Sequence, residues 1–521
     1  MSALRARLRA GAAWALGTVA AFAVYLQLAR TRAVNSDGAS NALQAWDMLH
    51  GNPLLHGWSL SDVSFYTTEL PQYMLVELVR GLSQDVVHVA AAVTYTLAIL
   101  LAAFLAKGDA TGRQALLRVT VAAGIMLAPQ LASGVNILVS SPDHIGSSVP
   151  VMLAWLILDH ARPHWYIPLA TGALLGWAEV ADMLVLYIGV IPLAVVCAIR
   201  VGQAVAIDRK ALASQWHDMA LGAAALLGAA AGVLALHVLH ARGGFYMPAP
   251  AAQIAHGGTL VRNLGIAGEG LLLLGGADFL GLRPTAASAF TLLHLVGVSL
   301  AAWGTWLAAR RFLRDRDLVD QLLVMGVAIN LAVYVLSTKA DVVTQTREIA
   351  AVLPFSAALA GRLVAPRLLA GRPRALRFLP ILLVVLIGYL AGLARDISQP
   401  PAAAQNQQLT SWLAARHLTT GLSGYWQSNV VTLTSGDRIR VRAVGTSGGR
   451  LIRSRLESNA WWYDPARATA NFVVLFPGAT GYAGFTAGPA VLATFGRPAR
   501  TYHVGLYTIM VWNGNLLSGL R

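Results

Sequence analysis

The stretch VNSDGASNALQAWDMLHGNPLLHGW, Val34 to Trp58, follows the first long apolar run of the chain. It carries two acids, two histidines and two tryptophans, and is too polar to cross a bilayer. The chain does not re-enter an apolar run until about residue 86. A linker between two spans needs only a few residues, so this loop is long for a reason other than connection. Its first part has helical spacing. Ala42, Leu43, Trp46 and Leu49 share one face, Asp37 stands near the start, and Gly51-Asn52-Pro53 ends the run. FYTTELPQYML (65–75) leads on to a second surface segment.

Around this loop the chain is a membrane protein. Of 521 residues, 56% are hydrophobic and 12% charged, and the mean hydropathy is +0.59. A soluble chain needs more charge to cover its surface. About eleven spans run from 11–29 to 377–394. The segment 165–201 is too long for one span, and Glu179 and Asp182 sit in its middle, so it divides there into two short helices. The net charge of +15 does not mark a nucleic-acid binder, because Arg and Lys gather in short segments between apolar runs, as at 309–317 and 365–377. With the N-terminus in the cytoplasm, the inner segments hold roughly 19 Arg and Lys, and the outer loops before residue 398 about 8. This sidedness puts the loops 30–85, 136–146 and 241–285 outside. The lone Cys197 forms no internal disulfide.

After the linker ISQPPAAAQNQQ (397–408) the character changes. LTSWLAARH (409–417) has helical spacing. NVVTLT, RIRVRAV, NFVVLF, AVLATFG and YHVGLYTIMVW read as β-type runs. The expectation is a transmembrane domain over 1–398 and an extracytoplasmic mixed α/β domain over 399–521, in a multi-pass protein of the cell membrane.

Asp37 has two readings. It is an N-cap, whose carboxylate accepts from a backbone N–H, or it is a base at the membrane surface. The order of features resembles the GT-C glycosyltransferases, most nearly the protein O-mannosyltransferases and the bacterial aminoarabinose transferases (glycosyltransferase family 39). Those loops commonly read Asp-Glu, an Ala-containing helix, Gly, and later Pro-Pro-x-x-Tyr. Here the matching residues are Asp37-Gly38, SNALQAWDMLHGN, and Leu70-Pro71-Gln72-Tyr73, with departures at Gly38 and Leu70. TQTREIAAVLPFSAALAGR (344–362) is similar to the Arg-Tyr-x-x-Pro-x-x-Pro type of segment that enters a late span in these enzymes. Arg347 and Pro354 stand in the matching places, and Glu348 replaces the aromatic residue.

The resemblance implies a polytopic α-helical GT-C-like fold and sugar transfer from a polyprenyl-phosphate donor to a glycan, protein or lipid acceptor outside the cytoplasm. It assigns Asp37 as base, with Asp143 as a second acid. Arg347, then Lys339 and Arg262, are the expected phosphate-binding cations, since a phosphate leaving group calls for cationic donors. For Arg347 the plain alternative is an arginine snorkelling at a span end. His144, Glu179, Asp182 and Glu69 are candidate acceptor or cavity residues. Metal binding stays open: Asp37, Asp143 and His144 are metal-ligating types, but no spacing fixes a site. Two rival readings remain, a transporter or flippase of lipid-linked sugars and a non-catalytic envelope assembly protein. No internal repeat supports the first, and the second does not need Asp37 and Arg347.

Overall fold

The computed structural model describes residues 2–129, 137–140, 144–248, 252–280, 283, 285–314, 316–370, 379–404, 406–476 and 488–520. Among these, eight helices are long and apolar enough to cross a membrane, the first Gly11–Arg30 and the last Pro380–Ile397. Three shorter helices, Gly112–Met126, Ile145–His160 and Tyr166–Ala181, fall where further spans are expected from the sequence. The chain forms two compact units. The first holds residues 1–31, 91–234 and 251–400. The second joins 32–90, 235–250 and 401–521. The tail thus shares its unit with the first loop.

In the first unit, close helix approach depends on small residues. Lipid offers no hydrophobic drive between helices, so association rests on van der Waals contact, which small side chains permit. Tyr166–Ala181 meets Trp216–Ala241 at Gly172, Gly176 and Gly228. A Cβ on Gly176 would lie 2.3 Å from the Gly228 carbonyl oxygen. The divided segment behaves as its two acids suggest. The helix stops at Ala181, Asp182 takes an extended conformation, and a π-helical turn Leu186–Val190 leads into Ile191–Ile207.

A second π-helical turn, Ala360–Val364, carries the buried Arg362. A charge there must be paired. Its guanidinium donates to Asp320 (2.6 Å), Asp317 (2.7 Å), Asp159 (3.1 Å) and the Leu105 carbonyl (2.9 Å). One side chain thereby ties four helical segments together.

In the second unit the loop helix is Ser36–Leu49 and the next is Glu69–Arg80. The strands are β1 Trp58–Ser59, β2 Thr420–Ser423, β3 Arg440–Ser447, β4 Arg450–Arg453, β5 Ser458–Asn459, β6 Phe472–Leu475, β7 Arg500–Val504 and β8 Tyr507–Val511. Six make a mixed sheet in the order β4-β3-β2-β6-β8-β7, with β2 parallel to both neighbours. β1 and β5 pair antiparallel, Trp58 opposite Asn459, which joins loop to tail through the backbone. A core of Val34, Leu43, Trp58, Leu70, Tyr73, Val430 and Leu433 draws on both.

Two runs expected as strands are helices. NVVTLT lies in Tyr425–Thr434, and AVLATFG lies largely in Gly488–Phe495. In the first, Gln427 to Leu433 are all buried, so no polar face marks a helical period and Val and Thr read as strand.

Candidate active site

Asp37 lies in the first turn of Ser36–Leu49, and it is not the cap. Asn35, in extended conformation, accepts from the Gly38 N–H at 2.9 Å. The N-cap reading of Asp37 is therefore corrected, and its carboxylate is left for other work. Ser36 donates to the Tyr425 carbonyl at 2.6 Å, which fixes the helix start against the start of Tyr425–Thr434. Tyr425 Oη lies 2.6 Å from Asp37 Oδ1 and also contacts Glu457 Oε2.

A tyrosine hydroxyl has one proton and cannot donate to two carboxylates. If it donates to Asp37, the contact with Glu457 needs a proton on Glu457. The environment supplies that condition. Burial, reinforced by the nearby charge of Asp37, pushes the Glu457 carboxyl up to about 8, against the opposing effect of its polar neighbours Tyr425, Ser40 and Ser61. Burial and both acids likewise hold the Tyr425 hydroxyl well above its ordinary value. The hydrogen bonds then run one way, from Glu457 to Tyr425 to Asp37. Glu457 also holds φ at 44°, a left-handed conformation costly for a residue with a Cβ. Asp37 is half-buried, while Glu457 is buried, so the chain leads from the interior to the half-exposed acid.

The first unit gathers a different set. Asp182 Oδ2 faces His144 Nδ1 at 2.7 Å and Ser147 Oγ at 2.5 Å, and its Oδ1 accepts from the Leu184 N–H at 2.9 Å. His144 Nε2 lies 3.6 Å from Glu348 Oε2, and Lys339 Nζ lies 3.4 Å from Glu348 Oε1. Asn330 donates to the Glu348 carbonyl at 3.0 Å. Arg347 shares the 3-10 turn Val343–Ile349 with Glu348 and lies within electrostatic reach of His144. The imidazole thus stands between two carboxylates, with Lys339 and Arg347 adjoining. A carboxylate at Nδ1 fixes the ring and leaves Nε2 for proton exchange.

The remaining expected residues fall elsewhere. Arg262 is exposed and donates to the Asp341 carbonyl. Glu179 is buried in Tyr166–Ala181, and Glu69 is buried at the start of its helix with Thr68 donating to it. Asp143 lies outside the described residues. Among the described residues, no group of three His, Cys, Asp or Glu is arranged to hold a metal ion. Glu457, Glu348 and the contact of Tyr425 with Asp37 escape a reading of sequence alone; the Tyr and Trp of SGYWQSN (423–429) suggest only sugar stacking or core burial. Tyr425 and Glu457 lie far from Asp37 along the chain, and Glu348 was visible only as a departure from an aromatic position.

No protein-family model matches the chain, and no curated protein matches it. Solved structures do. The crystal structure of ArnT from Cupriavidus metallidurans bound to undecaprenyl phosphate aligns with a TM-score of 0.55 at 12% identity, over 96% of this chain and 98% of that one. The apo form of that protein gives 0.52 at 13%, over 98% and 99%. The archaeal oligosaccharyltransferase AglB from Archaeoglobus fulgidus, crystallised with an inhibitory peptide and a dolichol-phosphate, gives 0.47 at 14%, over 88% and 69%. At these identities the likeness to ArnT is one of fold alone.

Proposed function

We propose that this GT-C-fold chain is a glycosyltransferase that takes a sugar from a polyprenyl-phosphate donor and passes it to an acceptor hydroxyl outside the cytoplasm. The acceptor oxygen attacks the anomeric carbon, the bond from that carbon to the phosphate oxygen breaks, and polyprenyl phosphate leaves. The acceptor proton passes to a base. Asp37 is that base. The observation that carries the reading is its freedom from capping: Asn35 does the structural work, and the Tyr425 hydroxyl orients a half-exposed carboxylate. Likeness to ArnT, a protein crystallised with undecaprenyl phosphate, supports the lipid-linked donor. Arg347 and Lys339 are the proposed cations for the phosphate, with Arg262 a weaker candidate because it is turned to a backbone carbonyl. The sugar is a hexose or a pentose, and the acceptor a glycan, a protein or a lipid.

The test is Asp37→Asn. The substitution leaves the Asn35 cap intact and can still accept from Tyr425, so folded yield should match the parent. Asn cannot take a proton, so sugar transfer from a panel of polyprenyl-phosphate sugars should fall roughly 10²–10⁴-fold. Parental turnover by a well-folded variant would remove Asp37 as the base.

A further inference from the structure

At the end of the first unit away from His144 and Glu348, four arginines line one cavity. Arg310 and Arg311 close the helix Ala286–Arg311, Arg314 follows it, and Arg367 lies on Ala365–Ala370. Leu307 completes the wall of about 990 Å³ of open space. Among the described residues lining it, none is acidic. Like charges brought together without counter-charge are unfavourable unless an anion answers them.

The surroundings say what kind of anion. Arg310 stacks on Trp306, its guanidinium 4.6 Å from the ring. Trp303 and Trp306 are exposed, 40% and 49%, in the last two turns of an otherwise apolar helix. Exposed tryptophan beside arginine at the end of a span marks headgroup depth. A second cavity opens farther along the same helix. Val296, Gly297 and Leu300 face Leu117, Val121 and Gly124 of Gly112–Met126, with Leu383, Leu386 and Tyr389 of Leu379–Ile397 opposite. This groove of about 760 Å³ is almost wholly apolar.

The two cavities lie along one stripe. Leu300, Leu307 and Arg311 are spaced seven and four residues apart, which keeps them on one helix face, and Arg314 follows in the turn beyond it. From Val296 to Arg311 the helix rises about 22 Å, at roughly 1.5 Å per residue. One leaflet with its headgroups is roughly 20–22 Å deep. Charge and groove are therefore stacked as a phospholipid is.

We propose that this stripe binds an anionic membrane glycerophospholipid, its phosphate among Arg310, Arg311, Arg314 and Arg367 and one acyl chain along the apolar groove. A soluble anion would use the arginines and have no use for the groove. The proposal is independent of the sugar-transfer reading, since it concerns lipid retention and not turnover.

The experiment uses the purified full chain, reconstituted in phosphatidylcholine nanodiscs containing phosphatidylglycerol and then extracted for native mass spectrometry. The parent should retain phosphatidylglycerol over phosphatidylcholine. Arg311→Gln and Arg367→Gln should each lower that retention about fivefold, as removal of one cation near a lipid phosphate does. Gly124→Leu keeps every arginine and fills the groove. A Cβ there meets only Leu386 Cδ1, at 3.8 Å, so the variant should fold, and it too should lose retention. Equal retention of both lipids by the parent, or full retention by the Arg311→Gln/Arg367→Gln double variant, would overturn the site. Loss on adding inorganic phosphate, with Gly124→Leu unaffected, would reduce it to a soluble-anion pocket. Displacement of phosphatidylglycerol by polyprenyl phosphate at equal concentration would assign it to a different lipid.

Discussion

At the scale of single residues, function turns on where one proton sits. The Tyr425 hydroxyl donates to Asp37 at 2.6 Å and holds its carboxylate in one orientation. Tyr425→Phe should therefore lower kcat about tenfold with KM little changed, because the base is then less well aimed. An unchanged kcat would leave Tyr425 as a strut between loop and tail. Glu457 makes a second prediction. Its carboxyl is raised from 4.5 to about 8, so the folded state holds a proton that the unfolded state has already lost. The stability this gives is complete below about 4.5 and is lost as pH rises through about 8. Glu457→Gln stays neutral and can still donate to Tyr425. Its melting temperature in detergent should fall less than the parent's between pH 5 and pH 9. A parallel fall in the two proteins would mean that Glu457 is not the group losing its proton.

At the scale of elements, helix ends and helix contacts respond to different substitutions. Asn35→Ala removes the cap on Ser36–Leu49 and should cost about 1 kcal/mol in unfolding measurements, with the Asp37 carboxylate intact. Gly176→Leu should cost more, about 1–3 kcal/mol or beyond, because its side chain would drive into the backbone of Gly228 where neither helix can yield. A Gly176→Leu protein that melts with the parent would show that these helices are not in close contact. These elements also mark what a sequence discloses. Ser36–Leu49 was legible because one face is apolar and its end carries Gly-Asn-Pro. The break at Asp182 was legible because two acids interrupt an apolar run. Tyr425–Thr434 was not, because it is buried all round and shows no polar face. The pairing of Asp37 with Tyr425, 388 residues apart, has no local signature at all. His144 and Asp182 were each visible as polar residues near span ends, but their mutual contact depends on how the helices pack.

At the scale of the whole molecule, the spans follow from apolar length and the expected sidedness from charge. About eleven crossings with a cytoplasmic N-terminus, as the sequence predicts, would carry the tail outside. Protease added to intact spheroplasts should remove residues beyond about 400, and survival of the tail until lysis would reverse the topology. The unit that holds Asp37 has a further consequence, for synthesis. It is assembled from three stretches separated by most of the membrane helices. Asp37 leaves the ribosome early, and Tyr425 and Glu457 emerge only near the end of translation. Until then Leu43, Trp58 and Leu70 wait without Val430 and Leu433, the partners that later bury them. A nascent chain halted before residue 420 could insert its helices, yet its acid would have no tyrosine and its loop an uncovered apolar face, the kind of surface that quality-control proteases recognise.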